Sequence, residues 1–344
     1  MKSLTIGKSR IGDNFSTYII AEIGGNFSTF EQGKTLIDAA TSCGANAVKI
    51  QTFKADKLVS KYAIFDMPSV GGRKKQLDVI RKLELNEKIQ KKLFGYCTNK
   101  KITFFSTPSH PNDVDFLENI GIKLYKIGSD DLTNIPLIKY ISKCKKPTII
   151  STGMSNMKEI KDAVEAYSSQ NNKLALLHCV SMYPYDPKYS NLNAINTMKK
   201  EFKIPIGWSD HTKGIEICIA AVALGANIVE KHFTLNKKAK GPDHVLSSDP
   251  RDFSNMVKSI RLIEAAKGTG MKKPAKCELS SLKNVRKSIV ASKDIPSGTI
   301  LTNNFLEIKR PGNGISPNKL NLIIGKRIKK MVMKDKPIKM DYLQ

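Results

Sequence analysis

Eight short apolar runs, each closing on polar residues, constrain this chain more than any other feature. They are Tyr18–Ala21, Ala47–Ile50, Thr103–Phe105, Leu124–Ile127, Thr148–Ile150, Leu174–Leu177, Ile204–Gly207 and Ile228–Val229. Helix-like segments separate them. Near-continuous apolar strands alternating with helices predict a parallel sheet covered on both faces. Eight strand–helix units over roughly the first 270 residues fit a TIM (β/α)8 barrel. A doubly wound sheet is the main alternative, but no Gly-x-Gly-x-x-Gly follows the first run, which weakens its nucleotide-binding version. Asn156 with Glu159 three residues on forms a capping-box pattern ahead of a helix over Met157–Tyr167. Asp249-Pro250 couples a cap residue to a proline at the first helical position. Gly214–Leu224 is mostly apolar and is expected to pack on the barrel, whereas residues 52–75 read as a long irregular loop after the second strand.

Composition shifts after Gly268. The expected organisation is a barrel domain over 1–267, a polar linker over 268–284 and a small β-rich module over 285–344. A module of about 60 residues is near the lower limit for independent stability, so it is expected to dock on another surface. Hydrophobic residues make up 40% of the 344 and charged residues 26%, which excludes a disordered chain. No apolar run reaches about 18 residues, so no membrane span is expected. The longest candidate, Ile217–Val229, contains Gly225 and Asn227. The N-terminus turns polar too soon for a secretory signal, and a cytoplasmic protein is expected. The six cysteines (Cys43, Cys97, Cys144, Cys179, Cys218, Cys277) form no Cys-x-x-Cys pair and read as reduced, mostly buried thiols. The net charge of +26 comes from lysines spread along the whole chain, with no tail and no aromatic-interleaved stripe. Nucleic acid is therefore not the expected partner, although a basic field would help attract a small anionic substrate.

In a barrel the site forms at the C-terminal ends of the strands. Those ends carry Glu22; Lys49 and Gln51; Ser106-Thr107; Lys126 and Ser129; Ser151-Thr152-Gly153; His178-Cys179-Val180-Ser181 and then Tyr183; Ser209-Asp210-His211; and Glu230-Lys231-His232. A single polar residue there would be an ordinary turn or cap. Eight of eight points to a ligand, because burying so many polar groups without one is costly. Lys49 and Lys126 lie within apolar strands and need an anion. It is either an internal partner, Glu22 or Glu230, or a bound phosphate or carboxylate, and the hydroxyls of Thr107, Ser129, Ser151 and Ser209 favour the bound anion. His211 and His232 end adjacent strands, as a hydrogen-bonded pair or as two ligands of one divalent metal.

These residues resemble a known family. AEIGGN (Ala21–Asn26), KIQTF (Lys49–Phe53), STP (Ser106–Pro108), YKIGS (Tyr125–Ser129), STGM (Ser151–Met154), SDHT (Ser209–Thr212), EKHFT (Glu230–Thr234) and GPDH (Gly241–His244) look like the sialic acid synthase family. KRPGNGI (Lys309–Ile315) looks like its antifreeze-protein-like (SAF) domain. The resemblance implies condensation of phosphoenolpyruvate with an N-acetylated mannosamine-type aldose, giving a nine-carbon 2-keto-3-deoxy acid and phosphate by C–O bond cleavage. It implies Mn2+, or Mg2+ or Co2+ in its place, and a domain-swapped homodimer. Carried over position by position, it makes Glu22 the acidic catalytic residue and His211 and His232 the metal ligands. Lys49, Thr107, Lys126, Ser129, Ser151 and Ser209 become phosphoenolpyruvate contacts, with Ser181 beside them where some members have Asn. Gln51, Tyr183 and Asp243 fall at sugar positions, and Arg310 at the arginine that reaches the other subunit's sugar. Residues 61–75 match the family poorly, where it often carries an aromatic-Gln pair, so the sugar is open among sialic, legionaminic and pseudaminic types. The rival readings are another phosphoenolpyruvate-dependent synthase or metal aldolase on a barrel, and a non-enzymatic role carried by the C-terminal module.

Overall fold

The computed structural model describes residues 3–67, 72–169, 171 and 173–344. Eight parallel strands close into a barrel: β1 (Tyr18–Glu22), β2 (Ala47–Thr52), β3 (Thr103–Pro108), β4 (Tyr125–Ile127), β5 (Thr148–Ser151), β6 (Leu174–Cys179), β7 (Ile206–Asp210) and β8 (Ile228–His232). Closure joins β8 to β1, pairing Ile228 with Tyr18 and His232 with Glu22. Each apolar run seeds one strand. Most strands extend further than the runs at their C-terminal ends, into the polar residues, because the barrel ladder continues past the apolar layer. The seventh run starts later than expected, since Pro205 cannot donate to the ladder.

A helix follows each strand: α1 (Phe30–Ser42), α2 (Glu87–Lys100), α3 (Pro111–Ile120), α4 (Ile135–Lys143), α5 (Met157–Ser168), α6 (Ala194–Phe202), α7 (Glu216–Ala223) and α8 (Pro250–Lys267). At α5 the Asn156 side chain accepts from the Glu159 backbone while Glu159 returns to the Asn156 N–H, completing the expected box. Asp249 caps α8 through the Asp252 N–H. The apolar helix α7 packs against α8 and β7, starting at Glu216 because Gly214 takes a left-handed φ of 82°.

Two apolar cores result in the barrel unit. The larger lies between strands and helices. The smaller fills the barrel interior, where Ile20, Phe105, Leu124, Ile149, Leu177 and Ile228 meet Leu4, Ile6 and Ile11 of an N-terminal hairpin (Leu4–Ile6 with Ser9–Ile11). The segment expected to be irregular, 52–75, instead carries a short helix (Ala55–Leu58) and an antiparallel hairpin (Ile64–Met67 with Gly72–Lys75). Residues 68–71 of that segment lie outside the described residues.

The chain divides into two compact units, Met1–Gly268 and Thr269–Gln344. The second holds its own core, including Ile289, Ile295, Leu301, Ile328 and Val332. Its regular sheet is a single pair, Ser288–Ala291 with Leu306–Lys309, and isolated bridges and 3-10 turns supply the rest. Residues 276–284, expected as plain linker, form helical turns within this unit. All six cysteines are free, and only Cys277 is exposed. Among the described residues no helix is long and apolar enough to cross a membrane.

Candidate active site

Strand side chains alternate between faces, so the site is built in layers. Two residues beyond the apolar layer of Ile20, Ala47, Phe105, Leu124, Ile149 and Ile228 stand Glu22, Lys49, Thr107, Lys126, Ser151 and Glu230. His232 lies two residues beyond Glu230, and His211 two beyond Ser209. Lys49, Gln51, Thr107, Lys126, Ser129, Ser151, Ser181, Tyr183, Ser209, His211 and His232 line one cavity of about 570 Å³. Three of the expected residues do not line it. Glu22 is fully buried behind Lys49. Asp243 stands 3.8 Å from His232 Nδ1. Arg310 belongs to the second unit, immediately after its strand Leu306–Lys309.

The two lysines are held differently. Lys49 Nζ is 2.5 Å from Glu22 Oε2, 3.5 Å from Glu230 Oε1, and donates to Thr107 Oγ1 at 3.4 Å. Burial opposes its charge, but the two carboxylates outweigh burial and keep it protonated. Lys126 Nζ donates to Ser151 Oγ at 2.6 Å and lies 4.0 Å from Glu230 Oε1. Burial pulls its pKa down more than Glu230 raises it, so an anion beside it would favour its charged form. Glu230 accepts from Ser209 at 3.3 Å through Oε1, while its buried Oε2 has no hydrogen-bond partner. Burial raises the Glu230 pKa less than Lys126 and Lys49 lower it, so it stays ionised. Burial pushes Glu22 up, only partly offset by Lys49.

Beside Lys126 the floor is made of small groups. Ser129 Oγ accepts from the Gly153 N–H at 3.0 Å and sits 3.1 Å from Cys179 Sγ. A Cβ at Gly153 would clash with Ser181 Oγ and stand 2.8 Å from Cys179 Sγ and 3.0 Å from Ser129 Oγ. This position therefore has to be glycine for three side chains to face one point.

The two histidines suit a divalent cation. His211 Nδ1 meets the Val180 carbonyl at 2.7 Å, which fixes the Nδ1–H tautomer and leaves Nε2 bare. His232 Nδ1 is buried with no hydrogen-bond partner. Burial drives both pKa values down, that of His211 to about 4 and that of His232 well below the usual imidazole value, so both imidazoles are neutral. The ring centroids are 5.5 Å apart, and the Tyr183 ring lies 4.0 Å from that of His211. Among the described residues no cluster of three or more metal-type side chains accompanies them. Two protein ligands would leave the remaining positions to water and substrate.

Strand-end position alone did not separate inward from outward residues. Asp210 and Lys231, the strand-end neighbours of Ser209 and Glu230, turn away from the cavity and bond each other at 2.5 Å with both side chains fully buried. Lys231 also donates to the Thr212 carbonyl at 2.5 Å, and Asp210 accepts from Trp208 Nε1 at 3.1 Å and Thr212 Oγ1 at 2.9 Å. Sequence reasoning gave Glu230 no role beyond internal pairing, although its place two residues before His232 is the signal for an inward carboxylate. It also missed Leu58, Val59, Phe65, Gln76 and Ile80, which line the cavity from the inserted segment.

A lysine–hydroxyl floor, inward carboxylates and two neutral imidazoles thus meet at the C-terminal mouth of the barrel strands. Residues 36–272 match the NeuB family and residues 286–344 the SAF domain. The chain is 41% identical to the N,N'-diacetyllegionaminic acid synthase of Campylobacter jejuni subsp. jejuni serotype O:2, over 94% of this chain and 99% of that protein. It is 33% identical to the pseudaminic acid synthase of the same strain, over 92% and 95%. The solved N-acetylneuraminic acid synthetase of Leptospira borgpetersenii serovar Hardjo-bovis, in complex with citrate, superposes with a TM-score of 0.75 at 32% identity, covering 82% of this chain and 95% of that one. The chain belongs to the NeuB family and is an enzyme of the condensing, synthase type.

Proposed function

We propose that this enzyme is a nonulosonic acid synthase acting in the cytoplasm. It condenses phosphoenolpyruvate with an N-acetylated mannosamine-type sugar, giving a nine-carbon 2-keto-3-deoxy acid and phosphate. The observation that carries the anion half is Lys126: a buried ammonium bonded to Ser151, with Ser129, Ser181 and Ser209 around the same cavity. Within the family, the 41% identity to a diacetyllegionaminic acid synthase against 33% to a pseudaminic acid synthase of the same strain supports the 2,4-diacetamido sugar of the legionaminic series as acceptor.

In this reading Lys126, Ser129, Ser151, Ser181 and Ser209 hold the phosphate and carboxylate. Gln51, Tyr183 and Asp243 orient the sugar chain. The enol C3 attacks the sugar aldehyde carbon, leaving positive charge at C2, which the Glu22 and Glu230 carboxylates stabilise electrostatically. Water adds at C2, Glu22 takes its proton as Lys49 shifts toward the substrate and passes it to the alkoxide left on the former aldehyde carbon, and collapse of the tetrahedral centre to the C2 ketone breaks the C2–O bond, the hydroxyl proton leaving on the released phosphate. His211 and His232 would hold Mn2+, with Mg2+ or Co2+ as substitutes, which supplies Lewis-acid polarisation of the acceptor carbonyl when bound. The family resemblance adds a domain-swapped homodimer in which Arg310 serves the sugar of the other copy; deleting residues 285–344 then abolishes sugar use.

The test is phosphate release from phosphoenolpyruvate with Mn2+, comparing N-acetylmannosamine with 2,4-diacetamido-2,4,6-trideoxymannose. Release with the second sugar, abolished by chelator and restored by Mn2+, is expected. Release with N-acetylmannosamine alone makes the enzyme an N-acetylneuraminate synthase. Release with neither, from folded metal-loaded protein, overturns the reading.

A further inference from the structure

Asp210 and Lys231 lie outside the catalytic cavity, yet each adjoins one of the two histidines that suit a cation. Asp210 immediately precedes His211 at the end of β7, and Lys231 immediately precedes His232 at the end of β8. The two are register partners in the parallel ladder. Lys231 Nζ reaches both sides of His211: it donates to Asp210 Oδ2 at 2.5 Å and to the Thr212 carbonyl at 2.5 Å. Asp210 Oδ1 closes the same loop, accepting from the Thr212 backbone N–H at 3.3 Å and the Thr212 hydroxyl at 2.9 Å, and Trp208 Nε1 donates to it at 3.1 Å. Asp210, Thr212 and Lys231 are all buried. His211 thus sits on main chain pinned at the residue before it and the residue after it, and the pin is the residue next to His232.

Stability alone does not account for this pair. Two charges lose their hydration there, and apolar residues of similar volume often fill such a place as well or better. What apolar residues cannot do is bond the main chain on both sides of an imidazole. The histidines need that support. Metal-binding imidazoles are ordinarily oriented by a hydrogen bond on the second ring nitrogen, often to a carboxylate. Among the described residues no carboxylate hydrogen-bonds either ring: His211 Nδ1 meets the Val180 carbonyl, and His232 Nδ1 has no hydrogen-bond partner, with Asp243 standing 3.8 Å away. We infer that the buried Asp210–Lys231 pair, with Thr212, positions the metal site: it fixes the main chain that carries His211 and His232, and so the separation of the two imidazoles. The inference rests on these histidines holding the cation, as proposed above.

The deciding experiment measures the Mn2+ affinity of the metal-stripped full-length protein by titration calorimetry, beside its thermal unfolding without metal. Asp210→Leu/Lys231→Met removes both charges together. It is expected to keep a melting temperature close to that of the wild type while binding Mn2+ roughly tenfold to a hundredfold more weakly, the usual cost of a lost outer-shell partner. A wild-type Mn2+ affinity in the folded double variant overturns the inference. Where the double variant does not fold, Thr212→Val carries the same test, because it keeps shape and charge and removes only the hydroxyl donor. A severalfold weaker Mn2+ affinity is expected of it, and an unchanged one overturns the inference. His211→Ala is expected to abolish Mn2+ binding. Binding as tight as in the wild type, or a wild type that binds no Mn2+, overturns the assignment of the cation to these histidines, and the inference with it.

Discussion

Replacing Gly153 by alanine tests the anion site with a single methyl group. The backbone tolerates the change, because Gly153 is not among the positive-φ glycines. The obstacle is local: the new Cβ would clash with Ser181 Oγ and stand 2.8 Å from Cys179 Sγ and 3.0 Å from Ser129 Oγ, where ordinary contacts run from 3.4 Å. Ser181 can rotate away, but its hydroxyl then leaves the cavity, and Ser129 must shift as well. A hydrogen bond to a charged group contributes about 1.5–3 kcal/mol, and each 1.4 kcal/mol is about tenfold. Losing one such bond to the phosphate or carboxylate predicts a fall in kcat/KM for phosphoenolpyruvate of roughly ten- to a hundredfold, with the fold intact by circular dichroism. The assay is phosphate release across a phosphoenolpyruvate titration. A second variant, Gly153→Ala with Ser181→Ala, removes the worst overlap and should recover part of the loss. A wild-type KM for phosphoenolpyruvate in Gly153→Ala would refute the placement of the anion against Ser129 and Ser181.

Glu22→Gln should fold normally and lose at least about a hundredfold in kcat, as expected for removing a positioned proton acceptor; near-normal turnover would remove Glu22 from the chemistry. Lys231→Met leaves the Asp210 carboxylate buried without its partner and should cost about 3–5 kcal/mol in denaturant unfolding, with Asp210→Leu/Lys231→Met recovering most of it. A single variant as stable as the wild type would contradict that pairing. Burial raises Asp131 from 3.8 to about 6, and its Oδ2 has no hydrogen-bond partner. A raised folded-state pKa contributes stability that is complete below pH 3.8 and lost as pH rises through 6, about 3 kcal/mol for two units. Asp131→Asn should therefore be more stable than the wild type at pH 7.5 and no more stable at pH 3.5; equal melting temperatures at pH 7.5 would refute the raised pKa.

The barrel was legible because each strand combines two local signals, an apolar run and a polar end, and both follow from one requirement: the interior is packed below and solvated above. The helix caps at Asn156 and Asp249 were legible because they are contacts within four residues. What stayed hidden depends on direction or on distant partners. Asp210 and Lys231 stand among the polar strand ends without an assigned role; they face outward and satisfy each other, and the alternation anchored on Ser209 and Glu230 is what sets them apart. Lys49 could be placed beside an anion but not assigned one, because Glu22 approaches it from the adjacent strand. The insertion after β2 escaped because its apolar residues follow neither a helical nor a strand period; they converge on a cavity instead of a core. The C-terminal module was legible as short strands and turns, and its core is held by one strand pair with isolated bridges and turns.

The register that seals the barrel has a kinetic consequence. Ile228 and Tyr18 are neighbours in the ladder although about two hundred residues separate them along the chain. During synthesis β1 stays unpaired on that edge until β8 has emerged, and the apolar residues of the N-terminal hairpin have no complete interior to plug until then. Long-range parallel pairing of this kind is slow and leaves sticky edges exposed meanwhile. The step that brings His232 beside Glu22 is therefore also the step that covers the last open strand edges of the barrel.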